Sequence, residues 1–563
     1  MKASIIMTAA ISLAVMSSCS DFLDVQPEGT PTTTNCFTND GQAIDAIDGL
    51  YKELCRDDQL FGRDLFWEQA AACDVVWGRS RSYNGLATLE YSGDESPLTG
   101  CYQKFYQIMA RANWIVKKLG EKKETKTLTT VETRSLGEAY FMRAFAHFYI
   151  AYRYGTDKQG VPFVRYEDFE GDYDNSIPTQ QASVVDNYKY IIEDLDNAEQ
   201  YLPKFETYDA DNRGRAHKAS AVGYKAKVYA YWAAWDSSQW QNVITAVNSL
   251  ENDYGRDLAS SLDVVFSDDF ADFWNKEYIF SIPSNGGSQY GGSEFPGIIV
   301  DNNGWGLFNG WGQNKPSYDI YEELVKDGEG NDRLRRTVLE YGQEFEFWGT
   351  TRRFWSTADL EAGFMINKYL MPFRHADGMN AGYVGTNGDC PTARINFPLI
   401  RFADCLLLRA EAYLATGQAA KATTDINRIR VRSNLTPLTG TATWTDLYHE
   451  RRCELAFEFT DHLFDLKRWH KSGNAEIKAL AAKELNAHPR VRRYYKQDEN
   501  GNWLTDENGN YVSDRDNPDA KCMVLPYEDY PNKATYDDHL MVFPYPSAEV
   551  TKAGGLLKQN DGY

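Results

Sequence analysis

Glu450, Glu454 and Glu458, in the stretch HERRCELAFEFTDHLFDLKRW, stand four residues apart. On one helix that spacing stacks successive carboxylates along one face about 6 Å apart, at ~1.5 Å rise per residue. Retaining glycosidases hold their two carboxyls ~5–5.5 Å apart, but on opposite sides of the sugar, which one helix face cannot supply. Arg451, Arg452, Lys467 and Arg468 stand close by as charge partners, so the cluster reads as scaffold. His217, His449, His462 and His470 are scattered without H-E-x-x-H or another zinc spacing. No G-x-S-x-G elbow occurs. KDGEGNDRL and DENGNWLTDENGN resemble fragments of calcium loops but lack the closing Glu, and read as solvated turns. The expectation is a protein without catalysis, metal or cofactor.

Aromatic residues are the stronger chemical signal. The chain holds 14 Trp, 36 Tyr and 28 Phe, and several lie in glycine-rich stretches where a core does not obviously claim them. A pyranose ring stacks its apolar face on an aromatic ring while its hydroxyls need polar side chains beside that platform. CDVVWGRSRSYNG offers both, with Trp77 and Tyr83 as platforms and Asp74, Arg79, Arg81 and Asn84 as hydrogen-bonding partners. The equal alternative is that Trp77 packs beneath its own loop. SQYGGSEFPGIIVDNNGWGLFNGWGQ adds Tyr290, Asn302, Asn303, Trp305 and Trp311, with glycines flanking both tryptophans. FEFWGTTRRFW adds Trp348 and Trp355 around Arg352 and Arg353, although its alternation reads equally as a strand with one buried face.

The elements that must carry these loops are mostly helical. Tyr102, Phe105, Met109, Ala112 and Val116 form one apolar stripe, as do Phe141, Phe145, Phe148 and Tyr152, with Gly155 closing that second helix. Further helices are predicted at about 39–55, 183–201, 216–235, 240–252, 401–416, 419–432 and 444–470. Small residues inside SAVGYKAKVYAYWAAW and LLLRAEAYLATGQAAKATTDINRIR suit close helix approach. Ala410, Tyr413, Ala422 and Ile426 match a degenerate tetratricopeptide pattern. The fold class expected is mostly α: a tetratricopeptide-like helical repeat scaffold with a loop-rich, irregular half carrying short strands. Repeats fall mainly at 39–252 and 401–470, and a loop-rich insertion at about 255–395 includes KEYIFSIP and FMINKYL as strands. A polar hairpin is expected at about 490–525.

Composition bounds the setting. A formal net charge of −22 argues against nucleic acid or an anionic surface as partner. Lys2 and the apolar run Ile5 to Met16 read as a secretory leader, too short to span a bilayer. Met16-Ser17-Ser18-Cys19 resembles a lipobox, so residues 1–18 read as a lipoprotein signal peptide and Cys19 as the lipidated first residue of a single body, 19–563. No later stretch reads as a transmembrane helix, leaving attachment to lipid alone. The other eight cysteines show no C-x-x-C and read mainly as buried free thiols.

Eight blocks in order resemble the SusD/RagB-like outer-membrane lipoproteins of Bacteroidetes. They begin with CSDFLDVQPEG, AIDAIDGLYKEL, GEAYFMRAFAHFYIAYRYG and RGRAHKASAVGYKAKVYAY. PSYDIYEELVKDGEGNDRLRRTV, FPLIRFADCLLLRAEAYLATG with INRIRVRS, ERRCELAFEFTDHLFDLKRW, and FPYPSAEV running on to LLKQNDGY follow. The resemblance implies a surface lipoprotein of the outer membrane that captures an oligosaccharide and serves as lid to a SusC-like TonB-dependent transporter. It places part of the ligand surface in the region of Trp77 and Tyr83. A peptide or other nutrient as cargo, a repeat module that binds only protein, and, less favoured, a surface glycosidase are the alternatives.

Overall fold

Among the described residues, twelve helices of eight or more residues and twelve short strands position everything that follows. The computed structural model describes residues 36–54, 60–62, 64–68, 72–76, 84–169, 178–267, 269, 271–283, 314–347, 350–354, 362–369, 395–517, 519–528 and 533–563. The helices are α1 (Asp40–Leu54), α2 (Ser96–Thr125), α3 (Thr130–Tyr154), α4 (Val184–Tyr201), α5 (Lys218–Trp232) and α6 (Trp240–Asn252). After the irregular middle come α7 (Tyr318–Val325), α8 (Phe402–Ala415), α9 (Ala419–Arg432), α10 (Trp444–Glu454), α11 (His462–His470) and α12 (Ala475–Leu485). Consecutive helices pack in antiparallel pairs, α2 on α3, α3 on α4, α5 on α6 and α8 on α9, and α8 also lies against α6, which joins the two helical blocks. Ala410, Ala422 and Ile426 are fully buried and Tyr413 nearly so, as the repeat pattern requires.

Local chemistry sets the helix ends. Thr129 accepts from the Glu132 amide while Glu132 reaches back to the Thr129 amide, a capping box that starts α3. Pro97 opens α2, where its missing N–H costs nothing. The stripes read from sequence are buried, but α3 is buried on every side from Ser135 to Tyr154. Such a helix lies inside the core rather than on it, and its charges are paired there. Arg143 binds Asp194 at 2.6 Å and Glu167 at 2.5 Å, and Arg153 binds Glu68 at 3.0 Å and Asp461 at 2.9 Å.

The predicted single helix at 444–470 is two. It stops at Glu454, and Phe457 (φ 64°) and Asp461 (φ 60°) turn the chain through the left-handed region before α11 begins. Glu458 therefore lies beyond the helix that carries Glu450 and Glu454. The three carboxylates share a set of buried cations: Glu450 pairs with Arg333 and Arg430, Glu454 with Arg401 and Arg432, and Glu458 with Arg401 and Lys368. All three carboxylates are buried and bound by cations, which removes the glycosidase geometry.

Besides a two-residue antiparallel pair, Pro162–Phe163 with Thr179–Gln180, the strands are β1 (Val75–Val76), β2 (Tyr278–Pro283), β3 (Lys315–Pro316), β4 (Val338–Glu340), β5 (Glu344–Phe347), β6 (Thr350–Arg353), β7 (Phe364–Ile366), β8 (Asn396–Arg401), β9 (Arg490–Tyr495) and β10 (Lys521–Pro526). They form antiparallel pairs β1–β3, β2–β8, β4–β7, β5–β6 and β9–β10. β2 seats against α5 because residue 223 is glycine: a Cβ there would stand 2.6 Å from Ile279 Cγ2. The small residue that suggests helix–helix contact thus admits a strand. β9 and β10 form a hairpin whose excursion carries two identical turns, in which Asp498 and Asp506 each accept from the amides two and four residues on, at 2.8–2.9 Å. Among the described cysteines Cys73, Cys101, Cys405 and Cys453 are buried free thiols, Cys36 is half-buried and Cys522 is exposed. Cys522 sits on the two-stranded β9–β10 ribbon.

Candidate functional site

The candidate loops are rooted on neighbouring short strands. Val76, the residue before Trp77, pairs with Lys315, and Val75 pairs with Pro316. The root of the loop carrying Trp77 and Tyr83 is thereby hydrogen-bonded to the root of the segment carrying Trp305 and Trp311. β3 packs beside β7, and β7 pairs with β4. From β4 the chain turns into the β5–β6 hairpin, whose base is closed by Gly342 N–H donating to the Phe354 carbonyl and Phe354 N–H donating to the Gln343 carbonyl at 2.8 Å. In the sequence Trp348 falls between the paired Phe347 and Thr350, and Trp355 follows Phe354 directly. Three aromatic segments, the first about two hundred residues before the other two, therefore have their roots on one row of strands, in the order β1, β3, β7, β4.

Trp77, Arg79, Arg81, Tyr83, Tyr290, Asn302, Asn303, Trp305, Trp311, Trp348 and Trp355 lie outside the described residues, as does Cys19. Asn84 opens a short helix, Asn84–Thr88. Asp74 is described, and it differs from the expectation. It is buried and its carboxylate is held by Arg452, with Nη2 at 2.5 Å and Nε at 2.8 Å. His462 Nε2 lies 3.4 Å from Asp74 and 2.7 Å from Glu484, and Tyr448 donates to Glu484. Asp74 thus anchors its loop to α10, α11 and α12 instead of offering its carboxylate to a ligand. No local signal marks this, because the partner follows 378 residues later.

The cluster also illustrates charge balance in the core. Asp74, His462 and Glu484 have ligand atoms within 4.8 Å of one another, a spacing that suits a cation. The Arg452 guanidinium, also 3.6 Å from Glu484, already supplies that positive charge. Burial alone raises the Glu484 pKa, but Arg452 and His462 bring it down to about 2, so the carboxylate stays ionised.

Beneath the same half, Ser261, Asp263, Arg335, Arg336, Gln343 and Asn367 line a cleft of about 340 Å³. Its cations are matched, Arg335 to Asp332 and Arg336 to Asp263, and its aromatic side chain, Phe345, is buried. Among the described residues, its lining offers no exposed ring on which a sugar would stack. Sequence reading missed Tyr341 and Tyr494, which stack at 3.7 Å between centroids where the β9–β10 hairpin meets the β4–β7 pair. Only the tertiary fold brings the two rings together.

Residues 207–563 match the model of the SusD family. The chain belongs to that family. Residues 21–230 match a second model of the same group, described as starch-binding and associating with the outer membrane. A SusD-like protein of Bacteroides ovatus is 23% identical over 524 residues, covering 88% of this chain and 87% of its own. Among solved structures, a SusD-like protein from Bacteroides fragilis superposes with a TM-score of 0.71 at 20% identity, covering 93% of this chain and 97% of that one. A laminarin-binding SusD-like protein gives a TM-score of 0.64 at 21% identity, covering 93% and 100%. The SusD fold accounts for the mostly helical body with few short strands. Among the described residues no helix is long and apolar enough to cross a membrane.

Proposed function

We propose that this SusD-family chain is a non-catalytic, lipid-anchored receptor on the outer face of the outer membrane. It captures an oligosaccharide on an aromatic shelf and hands it to a SusC-like TonB-dependent transporter. The observation that carries the reading is the β1–β3 pairing, which roots the Trp77 loop beside the Trp305 segment. Trp77, Tyr83 and Trp305 act as stacking platforms, with Arg79, Arg81, Asn302 and Asn303 as polar partners and Tyr290, Trp311, Trp348 and Trp355 around them. Family membership and the laminarin-binding neighbour support a glycan as cargo. The buried, cation-bound state of Glu450, Glu454 and Glu458 supports capture without hydrolysis.

A shelf of a few stacked rings suits binding in the micromolar to millimolar range, about −4 to −8 kcal/mol, weak enough for release to a transporter. Isothermal titration against a panel of soluble glycans, laminarin included, tests it. Trp77→Ala and Trp305→Ala are each expected to lower affinity about three- to tenfold, from ~0.5–1.5 kcal/mol per stacked ring. Unchanged affinity in both variants rejects the shelf. For the anchor, Cys19→Ala is expected to leave folding and glycan binding intact while the protein disappears from the cell surface. Retention of that variant in the membrane fraction rejects lipidation at Cys19.

A further inference from the structure

Three tryptophans gather in one cleft among the helices. Trp235 follows α5, Trp240 opens α6 and Trp444 opens α10, each partly buried against the core and partly exposed. They line a cleft of about 420 Å³ together with the end of α8 and the residues between α11 and α12. That volume falls within the ~300–1,000 Å³ of small-molecule sites.

The charges around the cleft divide into closed and open. Glu411 is buried and fully engaged: Arg468 Nη2 binds it at 2.7 Å and Trp469 Nε1 donates to it at 2.8 Å. Lys471 is exposed, its ammonium lies 4.2 Å from the centroid of the Trp235 ring, and among the described residues no carboxylate pairs with it. Trp235 thus carries a cation on its face, which leaves Trp240 and Trp444 as the rings available for stacking. Ser237, Ser472 and Asn474 add polar groups to the lining. A purely apolar occupant would desolvate the ammonium without pairing it, and a neutral sugar would leave it facing only water.

We propose that this cleft is a second saccharide site, selective for a pyranose that bears a carboxylate, a uronate unit of an acidic oligosaccharide. Trp240 and Trp444 take the C–H face of the ring and Lys471 pairs with the carboxylate. The assignment does not rest on the loop shelf, and the two fail separately.

The probes are tri-galacturonate and a neutral galactose trisaccharide, titrated at about 0.15 M salt so that the net negative charge of the chain is screened beyond ~8 Å. Tri-galacturonate is expected to bind at least about tenfold more tightly than the neutral trisaccharide. Lys471→Met, at an exposed position that folding tolerates, is expected to erase that preference and leave neutral binding unchanged. Trp240→Ala and Trp444→Ala are each expected to weaken binding about three- to tenfold, and a Trp77→Ala/Trp305→Ala protein to keep the preference for tri-galacturonate over the neutral trisaccharide. Absence of binding, equal affinity for both trisaccharides, a preference that survives Lys471→Met, or loss of the preference in the Trp77→Ala/Trp305→Ala protein overturns the assignment.

Discussion

Replacing Arg401 by leucine is expected to destabilise the protein by about 3–5 kcal/mol, the cost of removing one partner from a buried ion network. Arg401 is fully buried at the end of β8. Its guanidinium binds Glu277 at 2.6 Å, Glu454 at 2.8 Å and Glu458 at 2.7 Å, and donates to the Glu454 carbonyl at 2.9 Å. These partners precede β2, end α10 and follow it, so one side chain ties the strand-bearing middle to the helical block. Leucine keeps the apolar bulk and leaves three carboxylates short of a donor. Arg432 still reaches Glu277 and Glu454, and Lys368 still reaches Glu458 at 2.7 Å, which keeps the loss below complete unfolding. Urea denaturation reads the effect as a lowered midpoint at similar slope. A Glu458→Leu change on top of Arg401→Leu is expected to cost less than it does in the wild type, because the two act on one interaction. A midpoint equal to the wild type would show that the network contributes nothing to stability.

The second large effect is a pH dependence centred on His449. Its Nδ1 lies 2.6 Å from Glu323 Oε1, its Nε2 3.1 Å from Asp327 Oδ2, and Cys453 Sγ stands 3.8 Å from Nδ1. Burial lowers its pKa, but Cys453, Asp327 and Glu323 outweigh burial and raise it to about 12. The reciprocal shift brings Glu323 and Asp327 down to about 2 against the same burial. A histidine whose folded pKa is raised contributes stability fully present below the unfolded value of ~6.5 and lost as pH rises toward the folded value. The loss runs at up to ~1.4 kcal/mol per pH unit, so about 2–3 kcal/mol disappears between pH 6.5 and 8.5.

His462, Lys467 and Lys368 titrate in the same range, Lys368 because burial brings it down to about 8 against the pull of Glu458. Burial opposes, but Glu484 and Asp74 raise the His462 pKa, which acts in the same direction. Lys467 acts in the opposite one: burial among Tyr91, Phe464 and Phe543 brings it down to about 7, so stability rises with pH from there toward the unfolded value of ~10.4. The measurement that isolates His449 is therefore the difference between wild type and His449→Gln in urea midpoints at pH 6.5 and 8.5. The variant is expected to be less stable at pH 6.5 and to close about 2–3 kcal/mol of the gap by pH 8.5. A gap that stays constant with pH means that His449 does not hold its proton between the two carboxylates.

Much of the scaffold was legible because helix formation and burial are local and periodic. The helices predicted at 183–201, 240–252 and 419–432 run at Val184–Tyr201, Trp240–Asn252 and Ala419–Arg432. The stripe Tyr102, Phe105, Met109, Ala112 and Val116 is buried along its length. Periodicity failed where long-range pairing overrode it. The run 444–470 keeps helical spacing through Glu458, yet the chain leaves the helix after Glu454 to bring Glu458 to Arg401 and Lys368. Asp74 failed for the same reason, since a carboxylate beside a loop tryptophan reads as a ligand contact until Arg452 is seen to occupy it.

The sequence by itself determined most of the long helical segments, that the chain resembles one family through eight ordered blocks, and that aromatic residues concentrate in glycine-rich segments. Those are properties of neighbours along the chain. Tertiary structure alone decided which charges are spent in the core and which stay open, as between Glu411 and Lys471 in the tryptophan cleft. It alone rooted the Trp77 loop beside the Trp305 segment through Val76 and Lys315. The reason is physical: a buried charge takes whichever partner the fold brings within about 3 Å, and a two-residue strand pairs with whatever backbone edge lies alongside it. Neither choice leaves a periodic trace in the sequence.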